Sequence, residues 1–310
     1  MRILVVGAGA TGGYFGGRLA QAGRDVTFLV RGKRADVLRH HGLRLVTPTG
    51  ETSLQPQLIT AAQINRPFDV ILLTVKAFGL EAALNDIAPA VGADTIIMPI
   101  LNGMKHLEIL IDRFGGQAVI GGLCKIAATL DEQGRVVQLS PLHEFTYGEL
   151  DGSLSDRISR LDALFKDAGF TSRLSTTIIN DMWEKWLLLA SLGAITCLMR
   201  GNIGQVAAAP GGEQFARAMI NEILTVITSA GYQRREDYIA HTTALLTQKN
   251  SAQTSSMYRD MNQGYQVEAE QVLGDLVAIG QRAGLATPLL CAAYTHLAVY
   301  QRGREHAVAS

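Results

Sequence analysis

Apolar and polar positions alternate between two regimes along this chain. Ile3–Val6 is a continuous apolar, β-branched run that stops at Gly7. From Gly12 to Ala22 the spacing becomes helical, with Tyr14, Phe15, Leu19 and Ala22 on one face, and Gly23 supplies the stop. Val26–Val30 is a second buried-type strand, so the first thirty residues predict one β-α-β unit. Leu43–Val46 and Ser53–Leu58 flank Thr47-Pro48-Thr49-Gly50 and read as a small hairpin or loop excursion. Further apolar runs at Val70–Val75, Thr95–Ile100 and Ala118–Ile120 are separated by helical spacing at Leu80–Ala88 and Lys105–Phe114. Continuous apolar strands alternating with helices predict a parallel sheet covered on both faces. Val136–Leu139 and Glu144–Tyr147 read as two antiparallel strands added at an edge.

Beyond Gly169 the regime changes. Helical periodicity dominates from about Thr177 to Tyr300, broken at Gly201–Gly204, Pro210–Gly212, Gly231 and Gly284–Pro288. The Ser/Thr-rich stretch Thr171–Thr176 has no period and marks the boundary. The expected organisation is α/β: a doubly wound N-terminal domain over residues 1–172, followed by a mostly helical domain over 173–310. Trp186–Met199 is the longest nearly uncharged run, shorter than the ~20 residues a bilayer requires, and reads as a buried helix.

Composition narrows the function. The 310 residues carry 28 basic and 28 acidic side chains and are 47% hydrophobic. This argues for a packed fold and against a nucleic-acid or membrane-surface partner. Cys124, Cys197 and Cys291 are scattered and odd in number, which predicts neither a disulfide framework nor a metal site and suits a reducing cytoplasm. His40, His41 and His106 read as surface residues.

Gly7-Ala8-Gly9-Ala10-Thr11-Gly12 matches G-x-G-x-x-G between a predicted strand and a predicted helix, the context that makes this motif informative. It predicts a Rossmann-type dinucleotide site: a tight turn at Gly7, close approach of a pyrophosphate at Gly9, and helix–strand packing at Gly12. An NAD-selective site usually ends its second strand in an acid. Here Val30 is followed by Arg31-Gly32-Lys33-Arg34, and Arg31 can grip a 2′-phosphate through its planar fork, so the expected cofactor is NADP(H).

With these residues placed, the chain resembles the ketopantoate reductase (2-dehydropantoate 2-reductase) family. The resemblance rests on the glycine motif, Arg31, Thr74-Val75-Lys76, Leu101-Asn102-Gly103-Met104, Trp183-Glu184-Lys185, and Ser255-Ser256-Met257 with Glu268 beyond. It implies NADPH-dependent reduction of a 2-oxo acid, with Lys185 as general acid, Asn102 beside the nicotinamide, Lys76 on the cofactor side and a backbone contact from Ala127. It further implies that Ser256 and Glu268 bind the substrate's carboxylate and hydroxyl ends, and that the enzyme forms a homodimer. Read without the family, Lys185 could be an acid whose burial lowers its pKa or a lysine snorkelling to water. Likewise Asn102-Gly103 could be a plain turn, Ser256 a helix cap, and Glu268 part of a solvated helix face. A β-hydroxyacid dehydrogenase-like enzyme or a non-catalytic NADP(H) sensor remain the alternative functions. The former usually has a different glycine motif around its substrate site and does not require Trp-x-Lys paired with a distant Glu. Lys185 together with Asn102 and Glu268 argues against the latter.

The resemblance fails at two places on the helix after Lys185. The family carries asparagines four and eight positions on; this chain has Leu189 and Gly193. A more apolar and roomier pocket is the expectation, suited to a bulkier or less oxygenated substrate.

Overall fold

The computed structural model describes residues 1–309 and divides into two compact units, Met1–Ile179 and Asn180–Ser310. The first contains strands β1 (Arg2–Val6), β2 (Asp25–Leu29), β3 (Leu43–Thr47), β4 (Gly50–Leu54), β5 (Gln57–Ile59), β6 (Val70–Leu73), β7 (Ile96–Pro99), β8 (Gly121–Leu130), β9 (Val136–Gly148) and β10 (Thr171–Leu174). Its helices are α1 (Ala10–Gln21), α2 (Gly32–His41), α3 (Leu80–Ile87), α4 (Lys105–Phe114) and α5 (Asp156–Phe165).

The parallel sheet has the order β5-β2-β1-β6-β7. The chain winds outward from β1 in one direction, returns, and continues on the other side. The strand order therefore switches between β1 and β6, and in such sheets ligands bind in the crevice at the carboxyl ends beside the switch. Ile3, Leu4, Val70, Ile71 and Leu73 are fully buried, as expected for strands covered on both faces.

A second sheet, absent as such from the sequence reading, has the order β10-β9-β3-β4, with β8 antiparallel to β9. Three expectations change here. Ser53–Leu58 is not one strand: Gln55-Pro56 breaks it, leaving β4 in this sheet and sending β5 into the other. The two short strands expected at 136–147 are one long β9 that pairs with β8. The non-periodic stretch at the expected domain boundary is partly β10, paired with β9, and the first unit runs on to Ile179. Phe15, Phe145, Phe165 and Phe170 meet between the helices and this sheet, mostly edge to face at 4.7–6.3 Å. Each buried ring contributes roughly 1.5–3 kcal/mol of transfer free energy.

The second unit is helical: α6 (Ile178–Met199, starting at the end of the first unit), α7 (Ile203–Ala208), α8 (Gly212–Ser229), α9 (Glu236–Leu246), α10 (Ser256–Asn262), α11 (Asp275–Arg282) and α12 (Pro288–Ala309), with a π-helical turn at Glu270–Gly274. The α6 helix is longer than its uncharged run, because Asp181, Glu184 and Lys185 lie in its first turns. Among the described residues it is the one helix long and apolar enough to cross a membrane, and 72% of its apolar window is buried. Trp186 fixes α6 in the unit: its indole N–H donates to the carbonyl of Val272 at 2.9 Å, and its ring stacks on Trp183 at 5.3 Å.

Candidate functional site

In the first unit, the parallel sheet itself gathers the candidate residues. The glycine motif follows β1, Arg31 follows β2, Lys76 follows β6 and Asn102 follows β7, so all leave from the carboxyl ends of adjacent parallel strands.

The turn after β1 is built from backbone. Gly7 has φ +99°, a conformation that side-chain-bearing residues rarely adopt. A Cβ at Gly12 would stand 2.0 Å from the Gly7 carbonyl oxygen and 2.2 Å from Oγ1 of Thr74. That threonine shares its hydroxyl proton between the carbonyls of Val6 and Gly7, at 2.9 and 2.8 Å, and locks the turn against the end of β6. In front of Gly9 there is open space: a Cβ there would meet nothing within 4 Å. Gly9 also caps α1 without a side chain, leaving the first-turn N–H donors to a ligand. A rigid turn, an open approach and unspent donors fit a pyrophosphate.

Arg31 caps the start of α2, and its guanidinium is engaged. Its Nε donates to Oδ2 of Asp86 at 2.7 Å, and Nη2 lies 2.5 Å from the same oxygen and 2.9 Å from the Ala82 carbonyl. Arg34 reaches the glycine turn directly, donating from Nε to the Ala8 carbonyl at 2.6 Å and from Nη1 to Gly134 at 2.7 Å. Burial holds the pKa of Arg34 below the usual arginine value. Lys76 is exposed, its ammonium 6.0 Å from the ring centre of Phe78, which is itself 51% exposed. Asn102 is half-buried, with an amide that makes no hydrogen bond among the described residues. Ala127 lies in the second sheet, where the β8–β9 register jumps from Ile126↔His143 to Ala128↔Gln138. His106 is buried, 4% exposed, and not at the surface as expected, because it lies in the first turn of α4 on the side packed into the unit.

In the second unit, Lys185 is half-buried on α6 and makes no ion pair or hydrogen bond among the described residues. Its acidic neighbours are committed elsewhere. Arg235 donates from Nε to Glu184 at 2.6 Å and from Nη2 to Asp181 at 2.7 Å and to Glu184. Tyr232 adds a hydroxyl donor to Glu184 at 3.2 Å. These two carboxylates hold the pKa of Arg235 above the ordinary arginine value.

Ser256 is exposed at the first position of α10; the cap is Ser255, whose Oγ accepts from the Tyr258 N–H and lies 2.9 Å from Oγ1 of Thr196. Glu268 is 8% exposed and precedes the π-helical turn instead of sitting on a solvated helix face. Two ties bring these segments to the helix that bears Lys185: Trp186–Val272 near Glu268, and Thr196–Ser255 near Ser256. The hollow expected at Gly193 is filled, since a Cβ there would stand 2.4 Å from Cε of Met257. Thr74, Arg34, Asp86, Phe78 and Met257 were not assigned roles from sequence. The Thr74 and Met257 motifs carried the only available signal, because the rest depends on which helix faces which strand end.

Comparison with known proteins gives a consistent result. The family model "Ketopantoate reductase PanE/ApbA" matches residues 3–152, and "Ketopantoate reductase PanE/ApbA C terminal" matches 177–301. An uncharacterized oxidoreductase of Bacillus subtilis (strain 168), YkpB, is 36% identical over 301 residues, 97% of this chain and 99% of that one. A 2-dehydropantoate 2-reductase of Archaeoglobus fulgidus is 29% identical over 285 residues, 92% of each chain. Among solved structures, 2-dehydropantoate 2-reductase from Geobacter metallireducens GS-15 has a TM-score of 0.86 at 26% identity, covering 96% of this chain and 99% of that one. D-mandelate dehydrogenase, in a ternary structure with NADH and anilino(oxo)acetate, shares the fold with a TM-score of 0.88 at 20% identity, covering 98% and 100%.

Proposed function

Since the chain belongs to the ketopantoate reductase PanE/ApbA family, oxidoreductases acting on CH–OH groups, we propose that it reduces a 2-oxo acid to the 2-hydroxy acid with NADPH, converting ketopantoate to pantoate or a related substrate. The observation that carries this reading is the ammonium of Lys185, left without a counter-ion while the adjacent carboxylates are sequestered by Arg235.

In this reading the backbone of Gly7, Ala8, Gly9, Ala10, Thr11 and Gly12 holds the cofactor's pyrophosphate, Arg31 takes the 2′-phosphate, and Lys76, Asn102 and a backbone group of Ala127 complete its site. When bound there, NADPH would supply the hydride that reduces the carbonyl carbon. Lys185 donates the proton from Nζ to the carbonyl oxygen, so the reduced substrate is not left as an alkoxide. Ser256 binds the carboxylate end of the substrate. Glu268 accepts a hydrogen bond at the hydroxyl end. Residues up to about 172 serve the cofactor, and those beyond serve the substrate and a homodimer contact, in a cytoplasmic enzyme. The NADH-bound structure of the similarly folded D-mandelate dehydrogenase supports a nicotinamide dinucleotide as the cofactor class.

The test is a panel of 2-oxo acids, ketopantoate included, scored by NADPH oxidation, with Lys185→Ala beside the parent enzyme. Removing a general acid is expected to lower turnover by about 10²–10⁴-fold while leaving cofactor affinity unchanged. Turnover unaltered in the variant discards Lys185 as the acid.

A further inference from the structure

Arg31 is assigned above to the cofactor's 2′-phosphate, yet its fork is already occupied. A guanidinium carries five N–H donors, and a phosphate is gripped bidentately only through an edge that presents two of them side by side. Here the Nε–Nη2 edge faces Asp86 at 2.7 and 2.5 Å, and Nη2 also serves the Ala82 carbonyl at 2.9 Å. Among the described residues, only the Nη1 hydrogens find no partner. Arg34 offers no replacement fork: Nε and Nη1 hold the carbonyls of Ala8 and Gly134, and its Nη2 is buried. Lys33 is exposed and can add only a point charge.

We propose that Asp86, on α3, is a specificity-determining residue for the cofactor: its carboxylate competes with the 2′-phosphate for Arg31, and so narrows the preference for NADPH over NADH that Arg31 would otherwise impose. A 2′-phosphate must displace a group of its own charge sign and then lie near it. A 2′-hydroxyl leaves the Arg31–Asp86 pair intact. The acid that NAD-selective sites place at the end of β2 is missing from that position, and Asp86 supplies a carboxylate to the same arginine from the helix after β6. The inference rests on the reading that Arg31 faces the adenosine ribose.

Equilibrium titration of NADPH and NADH against the parent, Asp86→Ala and Arg31→Ala separates the two ideas without using turnover. Arg31 is 56% exposed, so the pair has the modest strength of a surface ion pair. Asp86→Ala is therefore expected to tighten NADPH roughly twofold to fivefold, with NADH changed less than twofold. Added salt should shrink the gain, since exposed charges are screened. An unchanged NADPH-to-NADH affinity ratio in Asp86→Ala overturns the proposal, as does equal tightening of both. If Arg31→Ala leaves NADPH affinity intact, the underlying assignment of Arg31 falls instead.

Discussion

Gly12 and Gly193 pose the same steric problem with opposite outcomes. A methyl at either would lie well under 3 Å from a neighbour: 2.0 Å from the Gly7 carbonyl in one case, 2.4 Å from the Met257 methyl in the other. The carbonyl belongs to a turn fixed by Thr74 and by two strands and cannot withdraw. The methyl ends an unbranched thioether with three rotatable bonds. The turn after β1 is thus built from backbone with no slack, and the region along α6 from side chains that can repack. The largest effect should follow from Gly12→Ala, where relieving the overlap requires opening the turn. Its strain should exceed the ~1–3 kcal/mol of ordinary overpacking, with saturable NADPH binding lost in a fluorescence titration. Parent-like affinity in Gly12→Ala would erase the distinction.

On the helical side the comparison turns on charge. The role proposed for Lys185 needs an unpaired ammonium, and Asp181 and Glu184, 5% and 4% exposed, are paired with Arg235 and not with it. Replacing Arg235 by Met leaves both carboxylates buried without their cation. Breaking a fully buried pair costs about 3–5 kcal/mol. Arg235 is 44% exposed, and water reaches its guanidinium. A loss of roughly 2 kcal/mol is therefore expected, read as a lower Tm and a smaller denaturation midpoint. If the glycine turn of the first unit binds the cofactor as proposed, turnover should fall while NADPH affinity stays constant. A parent-like Tm would mean that the carboxylates are solvated and that Lys185 owes its free ammonium to something else.

The same contrast explains what the sequence disclosed. Gly7 to Gly12 was legible because backbone geometry forces glycine at fixed spacing between a strand and a helix, and residue type then reports conformation directly. The parallel core strands were legible for the same reason, as uninterrupted apolar runs. The second sheet was not, because β8 reads Gly-Gly-Leu-Cys-Lys-Ile-Ala-Ala-Thr-Leu, without alternation, and its pairing with β9 is interrupted around Ala127. For Glu268 a solvated helix face stays open beside substrate binding, because a carboxylate in a helical stretch is ordinarily solvated; it is buried just ahead of a π-helical turn, which leaves no periodic trace. The Arg31–Asp86 pair joins residues 55 positions apart and is set by how α3 packs, which no local pattern encodes.

The smallest expected effect, and the sharpest check on slack in the second region, is Gly193→Ala. Alanine favours the helix interior by about 1 kcal/mol over glycine. Against this stands the displacement of Met257, 3% exposed, whose Cε must move from the new methyl. Mild overpacking of this kind costs roughly 1–2 kcal/mol, so the terms nearly cancel and Tm should stay within about 3 °C of the parent. The double variant Gly193→Ala with Met257→Ala removes the clash but also empties a buried site, and large-to-small changes of that type cost about 2–5 kcal/mol. It should therefore be less stable than Gly193→Ala alone. The opposite order would mean that Met257 is rigidly held, that position 193 has as little freedom as position 12, and that the difference between the two regions lies in their chemistry and not in their slack.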